Sequence, residues 1–139
     1  MKTLKITVVI YIVAMLLASC GGAGGDGKSA NLEGTRWTLT AFNKNRPLDG
    51  NEPTISFEDG QVGGTTGCNS YGGGYEVDGE KLSFGAMFMT EMWCEGEDLM
   101  DQESTHLELL GQAESFQIVD GVLTIFAGHQ QTLTFVPAK

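Results

Sequence analysis

The sequence predicts a mainly β domain, a small antiparallel β-barrel-like fold of about eight strands with one packed helix. Apolar residues alternate with polar ones through most of the chain after residue 32, which is the period of half-buried strands. Asp-Gly pairs separate several of these runs, and one stretch between residues 98 and 110 has helical spacing instead. With 139 residues, 41% of them hydrophobic, the chain is long enough for one such domain.

The first expected strand surrounds Trp37. Trp37, Leu39 and Ala41 alternate with neighbouring residues and are expected to face the core, whereas Phe42 is expected on the opposite face with two threonines. Core packing is a better explanation of Trp37 than stacking on a ligand, because it alternates with Leu39. The run 55–58, in which Ile55 and Phe57 alternate with Ser56 and Glu58, shows the same alternation and predicts the second strand.

Four hairpin turns are expected to join the strands. Asp-Gly is a strong hairpin signal because both residues accept the positive φ angles of a two-residue turn. Such turns are expected at Asp59-Gly60, Asp78-Gly79 and Asp120-Gly121, and a fourth at Gly128-His129. The glycine-rich stretch 60–74 is interpreted as bulges and bends that close a small barrel, in preference to a loop that cradles a ligand.

The stretch 98–110 predicts a single amphipathic helix, since it contains no glycine, no proline and no β-branched run. Acidic residues occupy its first turn, where they suit the helix dipole, and Gly111 stands where a C-terminal cap is expected. The residues placed along one face of this helix are Leu99, Glu103, His106, Leu107 and Leu110.

Acidic residues outnumber basic ones by 18 to 8, so the chain carries a formal charge of −10. This balance excludes an electrostatic footprint for nucleic acid and makes an anionic membrane surface an unfavourable partner. All the acids follow residue 20, so the exported part is more acidic than the whole and attracts cationic molecules.

Residues 1–19 have the form of a bacterial lipoprotein signal peptide. Two lysines precede an apolar run from Ile6 to Leu17, which is too short for a bilayer-spanning helix. The run ends in Leu17-Ala18-Ser19-Cys20, which resembles the lipobox, in which the cysteine thiol is joined to diacylglycerol and becomes the mature N-terminus. The sequence therefore predicts lipidation of Cys20 and a membrane anchor at that residue.

The residue after Cys20 indicates the destination. An aspartate there retains lipoproteins in the inner membrane under the enterobacterial sorting rule, and this chain has Gly21, so the outer membrane of the bacterial cell envelope is expected. Residues 20–31 form the lipidated cysteine and a glycine-rich flexible tether. Residues 32–137 are expected to form the folded domain.

Several short motifs follow one another along that domain. They are Leu32-Glu33-Gly34-Thr35-Arg36-Trp37, Pro53-Thr54-Ile55-Ser56-Phe57, Gly67-Cys68-Asn69-Ser70-Tyr71, Leu82-Ser83-Phe84-Gly85, Thr90-Glu91-Met92-Trp93-Cys94, Gln102-Glu103 and Leu133-Thr134-Phe135. In this order they resemble the META domain family, typified by HslJ-like bacterial lipoproteins. The resemblance covers Leu32 to Val136.

The resemblance implies a compact β-barrel-like domain with one helix, often lipid-anchored and linked to heat shock, novobiocin tolerance or motility. It supplies no catalytic residues. Two positions depart from the family pattern: Glu91 stands where the family commonly has a basic residue, and Trp93 where it often has a small one.

Two cysteines remain once Cys20 carries lipid. Export places Cys68 and Cys94 in an oxidising compartment, which favours a disulfide between them. A competing hypothesis is a Cys94 thiolate assisted by His106, as in cysteine hydrolases, although the sequence marks neither a third orienting group nor an oxyanion site.

A copper-handling envelope lipoprotein is the alternative function. Met87, Met89 and Met92 carry thioethers and Cys94 a thiolate, which are soft ligands suited to Cu(I). His106 or His129 would complete such a site. Methionine more commonly fills irregular gaps in a core, so neither a metal nor another cofactor is expected. A bulge at Gly85 would exchange the strand faces on which these methionines lie.

The leading hypothesis is a non-enzymatic, lipid-anchored envelope protein that acts in stress or antibiotic tolerance by binding an envelope protein or a small molecule. The loop 65–74, with Asn69 and Tyr71, is the candidate binding surface. Acidic residues such as Glu95 and Asp98 are interpreted as solvated charges before and within the first helical turn, in preference to an acid/base pair.

Overall fold

The computed structural model describes residues 31–139, which form a closed barrel of eight antiparallel strands with one α-helix. Each strand pairs with the next in sequence, and the last returns to the first. The strands are β1 (Thr35–Phe42), β2 (Thr54–Glu58), β3 (Gln61–Thr65), β4 (Ser70–Asp78), β5 (Lys81–Met89), β6 (Ala113–Val119), β7 (Val122–Ala127) and β8 (Gln131–Pro137). The helix is α1 (Glu97–Gly111), and a short 3-10 turn spans Gly128–Gln130. The predicted fold class is confirmed.

The predicted signal peptide, Cys20 and nearly all of the predicted tether lie outside the described residues. Within residues 31–139, no helix combines the length and the apolar character needed to cross a membrane.

The core lies inside the barrel and beneath α1. Alternate residues of the strands point inward because side chains in a strand change face at every step. The largest fully buried apolar side chains are Phe57, Phe116, Phe135, Leu32, Leu39, Ile55, Leu82, Leu110, Leu123, Ile125 and Leu133. Trp37 is also buried, as predicted.

The predicted hairpins form, with differences in detail at two of them. At residues 59–60 and 120–121 both turn residues have positive φ, as a two-residue Asp-Gly turn requires. Between β4 and β5 the turn lies one residue later, because Asp78 still pairs with Lys81 and only Gly79 has positive φ (63°). Between β7 and β8, His129 and Gln130 adopt the positive φ, and Gly128 does not.

Bulges in β1 and β5 change which side chains point inward. In β1, Thr40 is an extra residue relative to β8, so Phe42 points inward and is buried, and its predicted outward position is wrong. In β5, Gly85 and Ala86 together oppose Gly74, as the register shift shows. Even-numbered residues of β5 face the core before the bulge and odd-numbered residues after it, so Met87 packs against the core.

The helix is one residue longer at each end than predicted. The predicted glycine cap is wrong, because Gly111 is the last helical residue and the capping position falls on Gln112, with an ordinary φ of −101°. The Gln112 N–H donates to the carbonyls of Glu108 and Leu109, which closes the last turn without a left-handed residue.

One face of α1 packs on the open end of the barrel. Its buried residues are Gln102, Glu103, His106, Leu109 and Leu110. Leu99 and Leu107, which the helical spacing placed on the buried face, are only half-buried. The buried stripe is therefore rotated toward Gln102 and Leu109.

Of the neighbouring strands in the barrel, β5 and β6 share the fewest paired residues. Register pairing between these strands is confined to Lys81 and Ser115, with one further bond from the Phe116 N–H to the Glu80 carbonyl at 2.9 Å. β6 begins only at Ala113, directly after α1, so its pairing with β5 does not extend toward Met89.

Candidate functional site

The predicted binding surface at Asn69 and Tyr71 is wrong, because both side chains are buried, with 1% and 4% of their surface exposed. Asn69 directly precedes β4, and Tyr71 is its second residue, at the end of the barrel that α1 covers. Their polar atoms bond to other parts of the chain there, as described below. The glycine-rich loop is thus a structural element of the fold.

Asn69 connects the loop before β4 to the loop after β5. Its Oδ1 accepts hydrogen bonds from the Thr90 hydroxyl and the Met92 N–H, both at 2.8 Å. Its Nδ2 donates to the Met92 carbonyl at 3.0 Å and to Glu103 Oε1 at 3.2 Å. An amide side chain has two donor hydrogens and two acceptor lone pairs, so these four bonds use its whole capacity.

Two neighbouring polar residues of α1 complete this buried network. Glu103 is 4% exposed and accepts hydrogen bonds from the Thr66 hydroxyl and from the N–H and side chain of Asn69. Gln102 accepts from the Leu48 N–H at 2.7 Å and donates to the carbonyls of Asn51 and Thr66 at 2.8 and 3.1 Å. The helix therefore binds two loops, the one between β1 and β2 and the one between β3 and β4, through buried or partly buried hydrogen bonds. Removing the partner of a buried group in such a bond costs about 1–3 kcal/mol.

Cys68 and Cys94 form the predicted disulfide, with their Cα atoms 6.0 Å apart. It joins the same two segments that Asn69 connects, since Cys68 precedes Asn69 and Cys94 follows Met92 by two residues. A sulfur in a disulfide is not a thiolate, so Cys94 is available neither as a nucleophile with His106 nor as a soft metal ligand.

His106 lies at the centre of the covered barrel end, fully buried among aromatic rings. The Tyr71 hydroxyl donates to the Thr54 carbonyl at 2.9 Å, so it accepts from His106 Nε2 at 3.2 Å, and Nδ1 is left without a partner. Burial lowers the pKa of His106 to about 3 and raises the pKa of Tyr71. Both groups are therefore neutral parts of the core.

This burial makes stability depend on pH. Between the unfolded pKa of 6.5 and the folded pKa of about 3, the unfolded chain binds a proton that the folded chain does not. Stability is therefore lost as the pH falls through this window, by up to about 1.4 kcal/mol per pH unit from His106. Urea unfolding of the wild type and of His106→Gln between about pH 6 and pH 4.5 measures the difference in slope. Equal slopes would show that His106 takes up its proton in the folded state.

The first motif of the chain has a structural role at the opposite hairpin. The Glu33 carboxylate accepts hydrogen bonds from the Tyr75 hydroxyl at 2.6 Å, from the Asp59 N–H and from the Gly60 N–H at 3.3 Å. These bonds, that from Tyr75 foremost, lower the pKa of Glu33. Burial and the bond to Glu33 raise the pKa of Tyr75 to about 12. Glu33 thus binds the β2–β3 turn.

Large apolar side chains are exposed directly beside the buried network. Phe88 is 71% exposed and Met89 37% at the end of β5, and Met92 is 58% and Trp93 79% exposed in the loop that follows. We call these four residues the apolar surface. The Phe88 ring lies over Gly72 of β4, where an added Cβ would approach it within 2.8 Å. Sequence reasoning missed Phe88 as a surface residue, whereas the unusual residue type at Trp93 was a usable signal.

The apolar surface lies in an acidic part of the chain. Between residues 82 and 138 there are nine acidic residues and no lysine or arginine. Glu91 and Glu95 flank Met92 and Trp93 in sequence, and both are exposed. The exposed apolar side chains of Met92 and Trp93 therefore have exposed carboxylates beside them in sequence.

The structure places the predicted soft ligands Met87 and Met92 in different surroundings. Met87 packs against the core, whereas Met92 lies in the loop bound by Asn69. Within the described part of the chain, no group of three or more histidine, cysteine, aspartate or glutamate residues is placed to hold a metal ion.

An open groove of about 690 Å³ lies at the weakly paired β5–β6 junction, at the other end of β5. It is lined by Glu76, Val77, Asp78, Lys81, Leu82, Ser83, Ala113 and Glu114. The ionisable side chains that line this groove are exposed to solvent. Small-molecule sites are usually enclosed and mostly apolar, so the groove does not resemble one.

Comparison with solved structures finds similar folds. A protein from Burkholderia xenovorans solved by NMR has a TM-score of 0.67 and 25% identity, over 78% of this chain and 84% of that chain. A second NMR structure has a TM-score of 0.62 and 27% identity, over 74% of this chain and 88% of that chain. A DUF4847 family protein from Bacteroides vulgatus ATCC 8482 has a TM-score of 0.56 and 16% identity, over 76% of this chain and 93% of that chain, and shows the fold alone.

Comparison with curated proteins finds no significant match. The META domain profile matches residues 30–139, which include the whole barrel and the motifs that meet in the buried network. The chain therefore belongs to the META domain family.

Proposed function

We propose that this protein is a non-enzymatic lipoprotein, anchored through Cys20 in the outer membrane of a bacterial envelope, which binds another envelope protein through the apolar surface. Its role in stress or antibiotic tolerance follows the family resemblance. The observation that carries the binding proposal is the exposure of Trp93 and Phe88, at 79% and 71%. Exposed aromatic side chains that are grouped together are typical of protein-binding surfaces.

Hydrogen bonds and a disulfide hold the loop that carries the apolar surface, which favours binding. The Met92 N–H and carbonyl are both bonded to Asn69, and the Cys68–Cys94 disulfide holds the chain immediately after Trp93. A loop that is already ordered loses little conformational entropy when a partner docks. The two constraints therefore present Trp93 in a defined position at low cost.

The chemistry of the described residues gives an enzyme little support. The sulfur of Cys94 is in a disulfide, and His106 is neutral and fully buried against Tyr71. A general base must reach the proton that it removes, and His106 is not accessible to a substrate in this fold. Binding is the function that the remaining surface chemistry favours.

Site-specific photocrosslinking in intact cells tests the binding proposal. A photoreactive amino acid replaces Trp93, and the matched control replaces Val119, which is 54% exposed on β6. We expect the Trp93 position to crosslink to a defined envelope protein and the Val119 position not to. Identical crosslinks at both positions, or none at Trp93, would contradict the proposal.

Lipidation is tested separately with labelled palmitate. We expect the wild type to take up the label and to sediment with membranes, and Cys20→Ser to do neither, because its side chain lacks the thiol that is acylated. Cys68→Ser is the matched control, since it removes a cysteine that lies in the disulfide. Label retained in Cys20→Ser would refute the anchor.

A further inference from the structure

The outer edge of β5 has no strand partner over most of its length. β4 pairs with β5 from Lys81 to Met89, whereas β6 pairs with it only at Lys81 among residues 31–139. Gly85 and Ala86, in the middle of the unpaired stretch, are exposed. An exposed strand edge presents unpaired N–H and C=O groups that can pair with another chain.

The hydrogen bonding with β4 shows which groups of β5 face that edge. The Thr90 N–H donates to the Ser70 carbonyl at 3.0 Å, which makes these two residues a hydrogen-bonded pair. In an antiparallel ladder such pairs alternate with pairs that make no backbone bonds to each other. Phe88 is therefore bonded to β4, while the N–H and C=O groups of Met87 and Met89 point toward the open edge.

We propose that the partner docks by strand addition to β5, using an extended segment in which basic residues alternate with apolar ones. This inference rests on the proposed function and specifies how the apolar surface is used. Backbone bonds at Met87 and Met89 supply the pairing, and alternate side chains of the added strand lie beside Phe88 on the outer face of the sheet.

Charge complementarity selects a basic segment. Glu91 and Glu95 follow β5 directly in sequence and are both exposed, so a strand that carries lysine or arginine meets the opposite charge at this end of β5. A second copy of this chain would bring the same acidic residues to the same edge. Anionic lipid headgroups would be repelled for the same reason. Both are less favourable occupants than a basic segment.

A peptide library provides the test. The protein is purified as the cell makes it and is offered ten-residue peptides in which each position of an alternating pattern is either charged (Lys, Arg, Glu or Asp) or apolar (Val, Ile, Phe or Tyr). We expect the bound peptides to be basic, and binding to weaken at least tenfold when salt is raised from about 50 to 500 mM. Enrichment of acidic peptides, or no binding from the library, would overturn the inference.

Backbone methylation separates strand pairing from side-chain contact. A selected peptide N-methylated at alternate residues, on the edge that would pair, keeps its side chains and loses its donors. We expect at least a tenfold loss of affinity, and little loss when the other alternate set is methylated. Met89→Pro removes the corresponding donor from β5 without removing a bond to β4, and it should weaken binding similarly. Equal affinity for both methylated peptides would overturn strand addition.

The results also distinguish this inference from the proposed function. Binding that is lost in Trp93→Ser but unaffected by methylation would overturn strand addition and leave the apolar surface as the binding site. Absence of both peptide binding and a Trp93-specific crosslink in cells would overturn both. Concentration-dependent self-association abolished by Met89→Pro would overturn the inference in favour of a second copy.

Discussion

Loss of the Cys68–Cys94 disulfide is expected to lower the free energy of unfolding by about 3.5 kcal/mol. The bond closes a loop with a sequence separation of 26 residues, and the loop-entropy argument assigns that value to the restriction of the unfolded chain. A domain of this size has a small core relative to its surface, so such a loss is a large part of its total stability. Chemical denaturation of the double variant Cys68→Ser/Cys94→Ser measures the change.

The melting temperature should fall by roughly 15–25 °C in the same variant, given about 4–8 °C per kcal/mol for a domain of about 100 residues. Cys20→Ser is the matched control, because that residue precedes the folded barrel, and its melting temperature should stay within a few degrees of the wild type. A double variant as stable as the control would mean that the Asn69 network alone restrains the two segments.

Replacement of Gly64 by alanine is expected to lower the free energy of unfolding by about 3 kcal/mol or more. An added Cβ would lie 2.0 Å from the Thr54 carbonyl oxygen and 3.0 Å from the Tyr71 hydroxyl. The first of these is a backbone atom of β2, so the strands themselves must separate, and overpacking of this kind costs about 1–3 kcal/mol or more. Displacement of Thr54 would also disturb the Tyr71 hydrogen bond that orients His106.

Gly74→Ala is the matched control for this substitution. Gly74 lies in the neighbouring strand β4, and a Cβ added there meets nothing within 4 Å. We expect the free energy of unfolding of Gly74→Ala, measured by chemical denaturation, to lie within about 1 kcal/mol of the wild-type value. Similar destabilisation by the two substitutions would show that general strand effects, rather than the close approach of β2 and β3, explain the glycine at position 64.

The barrel was predictable because its signals are local. The two-residue period of β1 and β2 and the Asp-Gly turns at 59–60 and 120–121 each depend on a few neighbouring residues. The helix was predictable for the same reason. The error at Phe42 arises because a bulge in β1 changes the inward face. The error at Gly111 arises because the helix continues through this residue and the Gln112 N–H closes its last turn.

The candidate site was predictable only in part. The disulfide followed from the count of cysteines and the compartment, and Trp93 stood out as a departure from the family pattern, but the burial of Asn69 and the exposure of Phe88 were not visible. A polar asparagine in a glycine-rich loop has the composition of a surface residue, and only the bonds to Met92 and Glu103, 23 and 34 residues away, explain its burial. Trp93 is a residue type usually found in a core, yet its side chain is exposed. The bonds between Asn69 and Met92 hold the neighbouring backbone in place.

The sequence by itself determined the family, the strand order, the helix and the two cysteines that pair, because these depend on residue type and short spacing. Tertiary structure alone decided that Asn69 is buried, that Trp93 and Phe88 are exposed, and that β5 keeps an open edge. Those outcomes depend on contacts between segments far apart in the chain and on the short pairing between β5 and β6. Long-range packing therefore decides these exposures and this pairing, and no local sequence pattern predicts them.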